Sequence, residues 1–230
     1  MKLLFLIFFL FPLMLNAQTY TFSGGKNNVV HIIAAKVLTK AYARAGIKTR
    51  PYFTSLSHSL KLSNRGDTDG ELARVKKISA IYPNLVQVPV VLTHVEAIAY
   101  SKNKNLNIKN WNDLRGHRFL IVKGAKFIEQ ATESFEKELV DTFEEAFKKL
   151  SHNKTEIIVI PKKAAVRLIL QQENIDIQPV SDSLQTLDMY HFVHKKNAHL
   201  IPIITPILEK MSKSGEIQYI SNSYLRSVTH

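Results

Sequence analysis

The sequence predicts an α/β protein in which mainly parallel sheets carry helices on their faces, arranged as two lobes with a cleft between them. Strand and helix patterns alternate both before and after a long apolar stretch, Leu85–Ser101. Such alternation requires right-handed crossovers, which make neighbouring strands parallel. Because the apolar stretch separates two such units, the chain is expected to form one lobe from each.

The first unit is predicted as strand, helix, strand, helix, strand. The first strand is Thr19–Ser23, and the helix after it has apolar residues at helical spacing until Gly46. Ile47–Phe53 is the second strand, and the short helix that follows ends at Gly66. The segment "DGELARV", residues 69–75, is the third strand.

The second unit repeats this order. A short helical turn at Trp111–Leu114 precedes the strand Arg118–Val122, and "KGAKFIEQA" turns directly into a helix. Thr155–Ile160 is a buried strand, and Pro161 suits the first turn of the next helix. The segments "NIDIQPV" and "LDMYHFVHKK" are predicted to be extended, and two helices end the chain. Pro206 requires the first of these helices to start late or to kink.

The first residues have the pattern of a cleavable export signal. Lys2 precedes the apolar run "LLFLIFFLFPLML", and Ala17 is a plausible cleavage point. The run has about 13 residues, fewer than the about 20 that span a bilayer. A retained membrane anchor is the alternative. We therefore expect a signal peptide at residues 1–17 and a soluble protein in a bacterial periplasm.

The amino-acid composition excludes some classes of function. The formal net charge is +12, but the basic residues are spread along the chain without aromatic interleaving. This favours solvated helix faces over a nucleic-acid surface. The chain has no cysteine, which excludes disulfides, lipid attachment and thiol chemistry. We expect a monomer that packing alone holds together.

Several segments in their order along the chain resemble one family. They are the exported start, the first unit, "WNDLRGHRFLIVKG" and the ending "YHFVHKKNAHLIPIITPILEKMSKSGEIQYI". Together they resemble the family 3 extracellular solute-binding proteins, the type 2 periplasmic binding proteins that serve amino-acid ABC transporters. The resemblance implies a first lobe at residues 18–95, a second at 96–189 and a return to the first at 190–230. It places two crossover segments, forming a hinge, near Thr93–Tyr100 and Tyr190–Lys195.

The resemblance places the third strand, with Arg74, at the cleft. A guanidinium near the carboxyl end of a parallel strand can grip a carboxylate of a ligand. A structural ion pair or a surface position is the alternative. Amino-acid binders of the family carry their ligand-binding arginine just after this strand, where this chain has "KKISAIYPNL" with no arginine. This departure puts an α-amino-acid ligand in doubt.

The two strand-to-helix turns supply the other candidate ligand-binding residues. Ser23 and Gly24 follow the first strand, and Gly124, Ala125 and Lys126 follow the strand of the second unit. Backbone N–H groups at a helix start suit an anion, and a lysine adds charge. An ordinary tight turn is the alternative at both places.

Other motifs are weaker. In "SNRGDTDGELARV" the Arg-Gly-Asp tripeptide is predicted to end a helix, and Asp67, Asp69 and Glu71 lack the spacing of a calcium loop. His191 and His194 would point to opposite faces of a strand, which does not suit a metal site. No catalytic motif, phosphate loop or dinucleotide fingerprint is present. We therefore expect no cofactor and no metal.

These observations predict a non-enzymatic periplasmic protein that captures a small polar solute, anionic or amino-acid-like, between its lobes. The membrane partner would be the permease of an ABC transporter. A ligand-sensing module for a membrane receptor is the alternative, and a dehydratase or lyase on the same scaffold is a third.

Overall fold

The computed structural model of the protein describes residues 18–171 and 176–228. The predicted signal peptide at residues 1–17 lies outside this part, as does the beginning of the "NIDIQPV" segment. Among the helices described, none is both long and apolar enough to cross a membrane.

Within the part of the chain that the structure describes, nine strands form one sheet. They are β1 (Thr19–Gly25), β2 (Lys48–Thr54), β3 (Gly70–Val75), β4 (Leu85–Ser101), β5 (Phe119–Val122), β6 (Glu138–Val140), β7 (Ile157–Pro161), β8 (Gln178–Pro179) and β9 (Gln185–His194). Their order is β2-β1-β3-β9-β4-β7-β5-β6, and β8 pairs with β4 at the side of this path. Pairing is parallel among β1, β2 and β3 and among β5, β6 and β7. The predicted α/β class is confirmed.

The two parallel groups are joined by β4 and β9. These two strands pair antiparallel from Leu85 to Ala97, and β3 pairs with β9 on the first-lobe side while β7 pairs with β4 on the second-lobe side. The sheet is therefore continuous through both lobes, because the long crossing strands carry the hydrogen bonding across. The exact lobe bounds given above stay a prediction.

Helices cover the sheet. They are α1 (Val29–Arg44), α2 (Leu56–Arg65), α3 (Ile78–Ile81), α4 (Lys126–Ala131), α5 (Phe143–Ser151), α6 (Lys162–Leu170), α7 (Ile201–Lys213) and α8 (Glu216–Ser227). Short 3-10 helices lie at Trp111–Leu114 and Lys195–Leu200. In α1, Asn28 caps the first turn by accepting the N–H groups of Val30 and His31. Of the two outcomes expected at Pro206, a late start or a kink, the late start is excluded, because α7 begins at Ile201 and contains Pro206, with Pro202 in its first turn.

Among the described residues, most buried apolar side chains of both lobes form one continuous cluster, and Leu60, Ile78, Leu85 and Phe192 form a smaller one. The larger cluster includes Phe22 and Ile33 of the first lobe and Phe127 and Phe147 of the second. Since apolar burial is the main favourable contribution to folding, a cluster that crosses the cleft also holds the lobes together. The lobes are closed against each other in this structure.

Candidate functional site

The carboxyl ends of the parallel strands of both lobes meet at the cleft. Strand β3 brings Arg74 there from the first lobe, and β5 brings Gly124 from the second, just after its end at Val122. In open α/β sheets, the crevice outside the carboxyl ends of the strands is where ligands bind. This edge is therefore the candidate functional site.

Arg74 is the central side chain of this edge, and it is only 5% exposed. Its Nε donates to Glu71 Oε1 at 2.8 Å, and its Nη2 donates to the Leu56 carbonyl at 2.8 Å and to Ser59 Oγ at 2.7 Å. Its Nη1 reaches across the cleft to the Gly124 carbonyl at 3.1 Å. Arg74 thus forms a buried ion pair within its own lobe and also contacts the opposite lobe.

Glu71 anchors the guanidinium from behind. Its carboxylate is fully buried and accepts hydrogen bonds from three serines, Ser23, Ser59 and Ser63, at 2.9–3.2 Å. Burial raises the pKa of Glu71, and the charge and hydrogen bond of Arg74 oppose the shift. Hydrogen bonding of this density satisfies the carboxylate and fixes the position of Arg74.

Ser23 belongs to this buried network. Besides Glu71, its hydroxyl lies within hydrogen-bond distance of the Ser59 and Gly70 carbonyls and of Thr68 Oγ1. Ser23 is fully buried, and the cavity between the lobes is lined by other residues. Its predicted ligand contact stays a prediction, and its visible contacts are structural.

Gly24 lies against His31, a residue that sequence reasoning missed. A Cβ at Gly24 would come within 2.7 Å of His31 Nδ1, so only glycine fits beneath this ring. The N–H of Gly25 donates to the same Nδ1 at 2.6 Å. Burial and then the charge of Arg74 lower the pKa of His31 well below its ordinary value, so the ring is neutral. Its position in the first turn of the helix that follows β1 is the feature of the sequence that could have indicated a residue at the cleft.

On the second lobe, the predicted anion-binding turn already holds a carboxylate. Gly124 has φ +91°, the left-handed region that favours glycine. Glu129 accepts the Gly124 N–H at 2.5 Å and the Lys126 Nζ at 2.5 Å. Ala125 is buried and precedes the six-residue helix α4. Glu129 of the same lobe therefore occupies the N–H group and the ammonium group that were predicted to bind an anionic ligand.

The cavity that remains between the lobes has a volume of about 40 Å³, enough for a few waters. It is lined by Arg74, Lys126, His31, Asn28 and Gly124 and by the mainly apolar residues Val30, Leu56, Val75, Ile78, Val95, Ala125, Phe127, Phe143, Pro161 and Met189. Pockets for small molecules usually measure a few hundred Å³. A ligand of several heavy atoms thus requires the lobes to separate.

Other contacts of the described residues also hold the cleft closed. Arg167 of α6 donates to the Asn27 carbonyl, in the turn between β1 and α1, at 2.6 Å. A Cβ built on Gly124 would lie 2.5 Å from the Ser57 nitrogen, so the second lobe touches the start of α2. The cleft edges are therefore in direct van der Waals contact.

The acidic residues and histidines that were considered as metal ligands in the sequence form bonds within the protein. Asp67 pairs with Arg65 at 2.6 Å, and Asp69 accepts the Thr21 N–H at 2.8 Å. His191 is fully buried, with Nδ1 donating to the Glu71 carbonyl at 2.8 Å and Nε2 at 3.0 Å from the Tyr42 hydroxyl. Within residues 18–171 and 176–228, no three His, Asp or Glu side chains are grouped as a metal site requires.

Solved structures with the same fold are numerous. A histidine kinase sensor domain similar to periplasmic binding proteins superposes with a TM-score of 0.80 at 15% identity, covering 90% of this chain and 96% of that one. The GluR0 ligand-binding core, in complex with L-glutamate, has a TM-score of 0.78 at 14% identity and coverage of 91% and 99%. The amino-acid ABC transporter substrate-binding protein AbpA of Streptococcus pneumoniae, bound to L-arginine, has a TM-score of 0.75 at 11% identity and coverage of 92% and 96%. The resemblance that the sequence indicated is confirmed as a likeness of fold.

Two relatives are similar in sequence. No protein-family profile matches the chain. An uncharacterized protein of Shewanella oneidensis is 23% identical over 191 residues, which cover 79% of this chain and 72% of that protein. A Shewanella frigidimarina protein provisionally named a sensor protein is 27% identical over 140 residues, 59% of this chain. The match spans only 21% of that protein's length.

Proposed function

We propose that this protein captures a small solute between its two lobes and signals the closed state to a membrane partner. The observation that carries the proposal is the bond from Arg74 of the first lobe to the Gly124 carbonyl of the second. A ligand that enters the cleft displaces the Gly124 carbonyl from Arg74 Nη1. Ligand binding and lobe closure therefore involve the same donor atom. Hinge closure around a ligand is an established way to couple the two.

The Arg74 guanidinium is suited to this task. Its Nε and Nη2 are held by Glu71, Ser59 and Leu56, so only the Nη1 side faces the second lobe. An arginine held in this way loses little conformational freedom when it binds a ligand. We propose that Nη1 donates to an anionic group of the solute, with Gly24 and Ala125 contributing backbone surface close by.

The partner is a membrane protein of one of two kinds. The substrate-binding protein AbpA and the histidine kinase sensor domain have the same fold, so transport and sensing are both compatible with it. The provisional name of the Shewanella frigidimarina relative favours a sensor. Capture of this protein by in vivo cross-linking distinguishes the two: a permease identifies transport, and a receptor kinase identifies sensing.

We propose that the protein acts in the periplasm after export and that it is not an enzyme. Its structural neighbours named above are binding or sensor proteins. Incubation of the identified ligand with the purified protein, followed by NMR, should return the ligand unchanged. Formation of a product would instead favour a lyase or dehydratase.

The experiment that tests solute capture is a thermal-shift screen with amino acids, small carboxylates and polyamines. A ligand at a hundredfold excess over its dissociation constant adds about 2.7 kcal/mol to the free energy of unfolding. Stabilisation by a solute, lost in a variant whose cleft cannot close, is the expected result. If no solute from any of these classes stabilises the protein, the proposed function is wrong.

A further inference from the structure

The two cations that line the cleft cavity are arranged in the same way. Arg74 and Lys126 face the cavity, whereas their partners Glu71 and Glu129 are not among the residues that line it. Glu71 lies behind Arg74 with no exposed side-chain surface. Each ion pair thus contributes its cationic residue, and not its acidic residue, to the lining of the cavity, and the two cationic residues come from different lobes.

The same cavity has no anionic group that could pair with an ammonium ion. No carboxylate lines it among the described residues, and the Gly124 carbonyl, which a ligand frees by taking its place on Arg74, is a neutral acceptor. The neutral ring of His31 uses Nδ1 to accept the Gly25 N–H, and Asn28 Oδ1 already accepts the N–H groups of Val30 and His31. An ammonium ion placed here would lose its hydration beside two cationic residues and would gain neutral acceptors alone, which is costly for a charge.

The remaining surface of the cavity is apolar. It includes Phe127 and Phe143 from the second lobe and Val75, Ile78 and Met189 from the first. Such a surface binds a hydrocarbon group by excluding water, while a few polar groups fix its orientation.

We propose that the cleft selects a small monocarboxylate with an apolar body and discriminates against α-amino acids. The inference rests on the proposed function and names its ligand class. The carboxylate accepts from Arg74 Nη1 and lies near Lys126, and the hydrocarbon part contacts the aromatic and aliphatic residues. The missing carboxylate, together with the two cations, disfavours the ammonium group of an amino acid.

Ligands that share one carbon skeleton test this proposal by titration calorimetry on the purified protein. The set is 4-methylpentanoate, L-leucine, 4-methylpentanamide and 4-methylpentan-1-amine; a second set is 3-phenylpropanoate with L-phenylalanine. We expect the carboxylate to bind about 100-fold more tightly than the amino acid or the amine. Equal or tighter binding of the amino acid overturns the proposal, as does equal binding of the amide and the carboxylate.

A pair of matched variants tests the orientation of the lysine. Lys126→Met should weaken carboxylate binding about tenfold, whereas Lys123→Met, a change at an exposed lysine outside the cavity, should leave it unchanged. Equal effects of the two changes overturn the proposal.

The two levels of inference fail separately. If no member of either ligand set binds, the ligand class is wrong. If another solute still stabilises the protein in the thermal-shift screen, the proposed function nevertheless stands. If no solute of any kind binds, both are wrong.

Discussion

Arg74 and Glu71 combine a structural role with a proposed binding role. Their side chains are 7% and 0% exposed, and Glu71 has hydrogen bonds to Arg74 and to three serines. Removing one partner of a buried ion pair leaves the other charge uncompensated, typically at a cost of about 3–5 kcal/mol. The two residues therefore have to be tested together.

We expect Arg74→Gln to weaken ligand binding roughly 10- to 150-fold, because a charge-assisted contact in a desolvated cleft is lost. The double variant Arg74→Gln/Glu71→Gln removes both charges, so it should unfold less readily than the single variant while binding the ligand equally weakly. Arg74→Lys should restore binding only in part. Calorimetry measures the ligand affinity, and urea unfolding measures the stability. Wild-type affinity in a folded Arg74→Gln variant would leave Arg74 as a structural residue alone.

His191 gives the protein an acid-sensitive residue. Burial lowers its pKa from 6.5 to about 4, and hydrogen bonds to the backbone of Glu71 and Leu72 oppose the shift. Because the folded-state pKa is the lower one, the unfolded state binds the proton first. The resulting stability is complete above pH 6.5 and is lost as the pH falls towards 4.

We expect wild-type protein to lose up to about 3 kcal/mol from this residue across that pH range. His191→Gln should show a correspondingly shallower decline, although it is less stable at neutral pH. His58→Gln, a change at an exposed histidine, is the matched control and should follow the wild-type curve. Urea unfolding at a series of pH values measures the slopes. A wild-type slope in His191→Gln would contradict the prediction.

At the scale of elements, the turn between β5 and α4 decides whether the lobes can close. Gly124 has φ +91°, and its missing Cβ leaves room for Leu56 and Ser57 at the start of α2. Gly116 has a similar φ of +84°, but an added Cβ there would meet nothing within 4 Å. A side chain would be strained at either position, because both φ angles are positive. The two glycines differ in that only Gly124 is packed against another segment, the start of α2.

We expect Gly124→Ala to reduce ligand affinity at least tenfold and to increase the radius of gyration, because the methyl group forces the lobes apart. Gly116→Ala should destabilise the fold by about 1 kcal/mol from the strain alone and should leave affinity unchanged. Small-angle scattering and calorimetry on both variants make the comparison. Equal affinities would show that closure does not depend on this contact.

At the scale of the whole molecule, polar bonds between the lobes add to the apolar cluster that holds the closed state. Besides Arg74, the bond from Arg167 to the Asn27 carbonyl links α6 to the turn between β1 and α1. Arg167 also lies 3.6 Å from Glu144, an acid of its own lobe. A bond of this kind contributes about 1–3 kcal/mol, so its loss can shift the equilibrium between open and closed states by a factor of ten or more.

We expect Arg167→Ala to raise the open population of the ligand-free protein and to reduce ligand affinity. Arg118→Ala is the control, because Arg118 is exposed and precedes β5 at the end away from the cleft. The chain has no cysteine, so single cysteines introduced at Lys48 and Lys154 can carry fluorophores for energy transfer between lobes. Identical transfer efficiencies in both variants would contradict the prediction.

Alternating hydrophobic periods in the sequence determined the fold class. Strand and helix patterns, with glycines at helix ends, were sufficient to predict parallel strands and a cleft at their carboxyl ends. Local patterns also predicted which turns reach the cleft. A strand ends where the spacing of apolar residues changes from the period of a strand to the period of a helix. The helix α7 shows the limit of this reasoning, since packing tolerates Pro206 within it.

Only the tertiary structure decided which groups pair at the site. The register between β3 and β9 shifts between Glu71 and Arg74, whereas side chains three residues apart on a regular strand point to opposite faces. This irregularity brings the glutamate to the guanidinium, and the fold places the Gly124 carbonyl as a further partner of Arg74 and Glu129 as the partner of Lys126. The sequence therefore predicted an arginine near the carboxyl end of the third strand, where the resemblance placed the cleft. Its buried partner, and the apolar surface opposite it, follow from contacts between distant segments that no local pattern records.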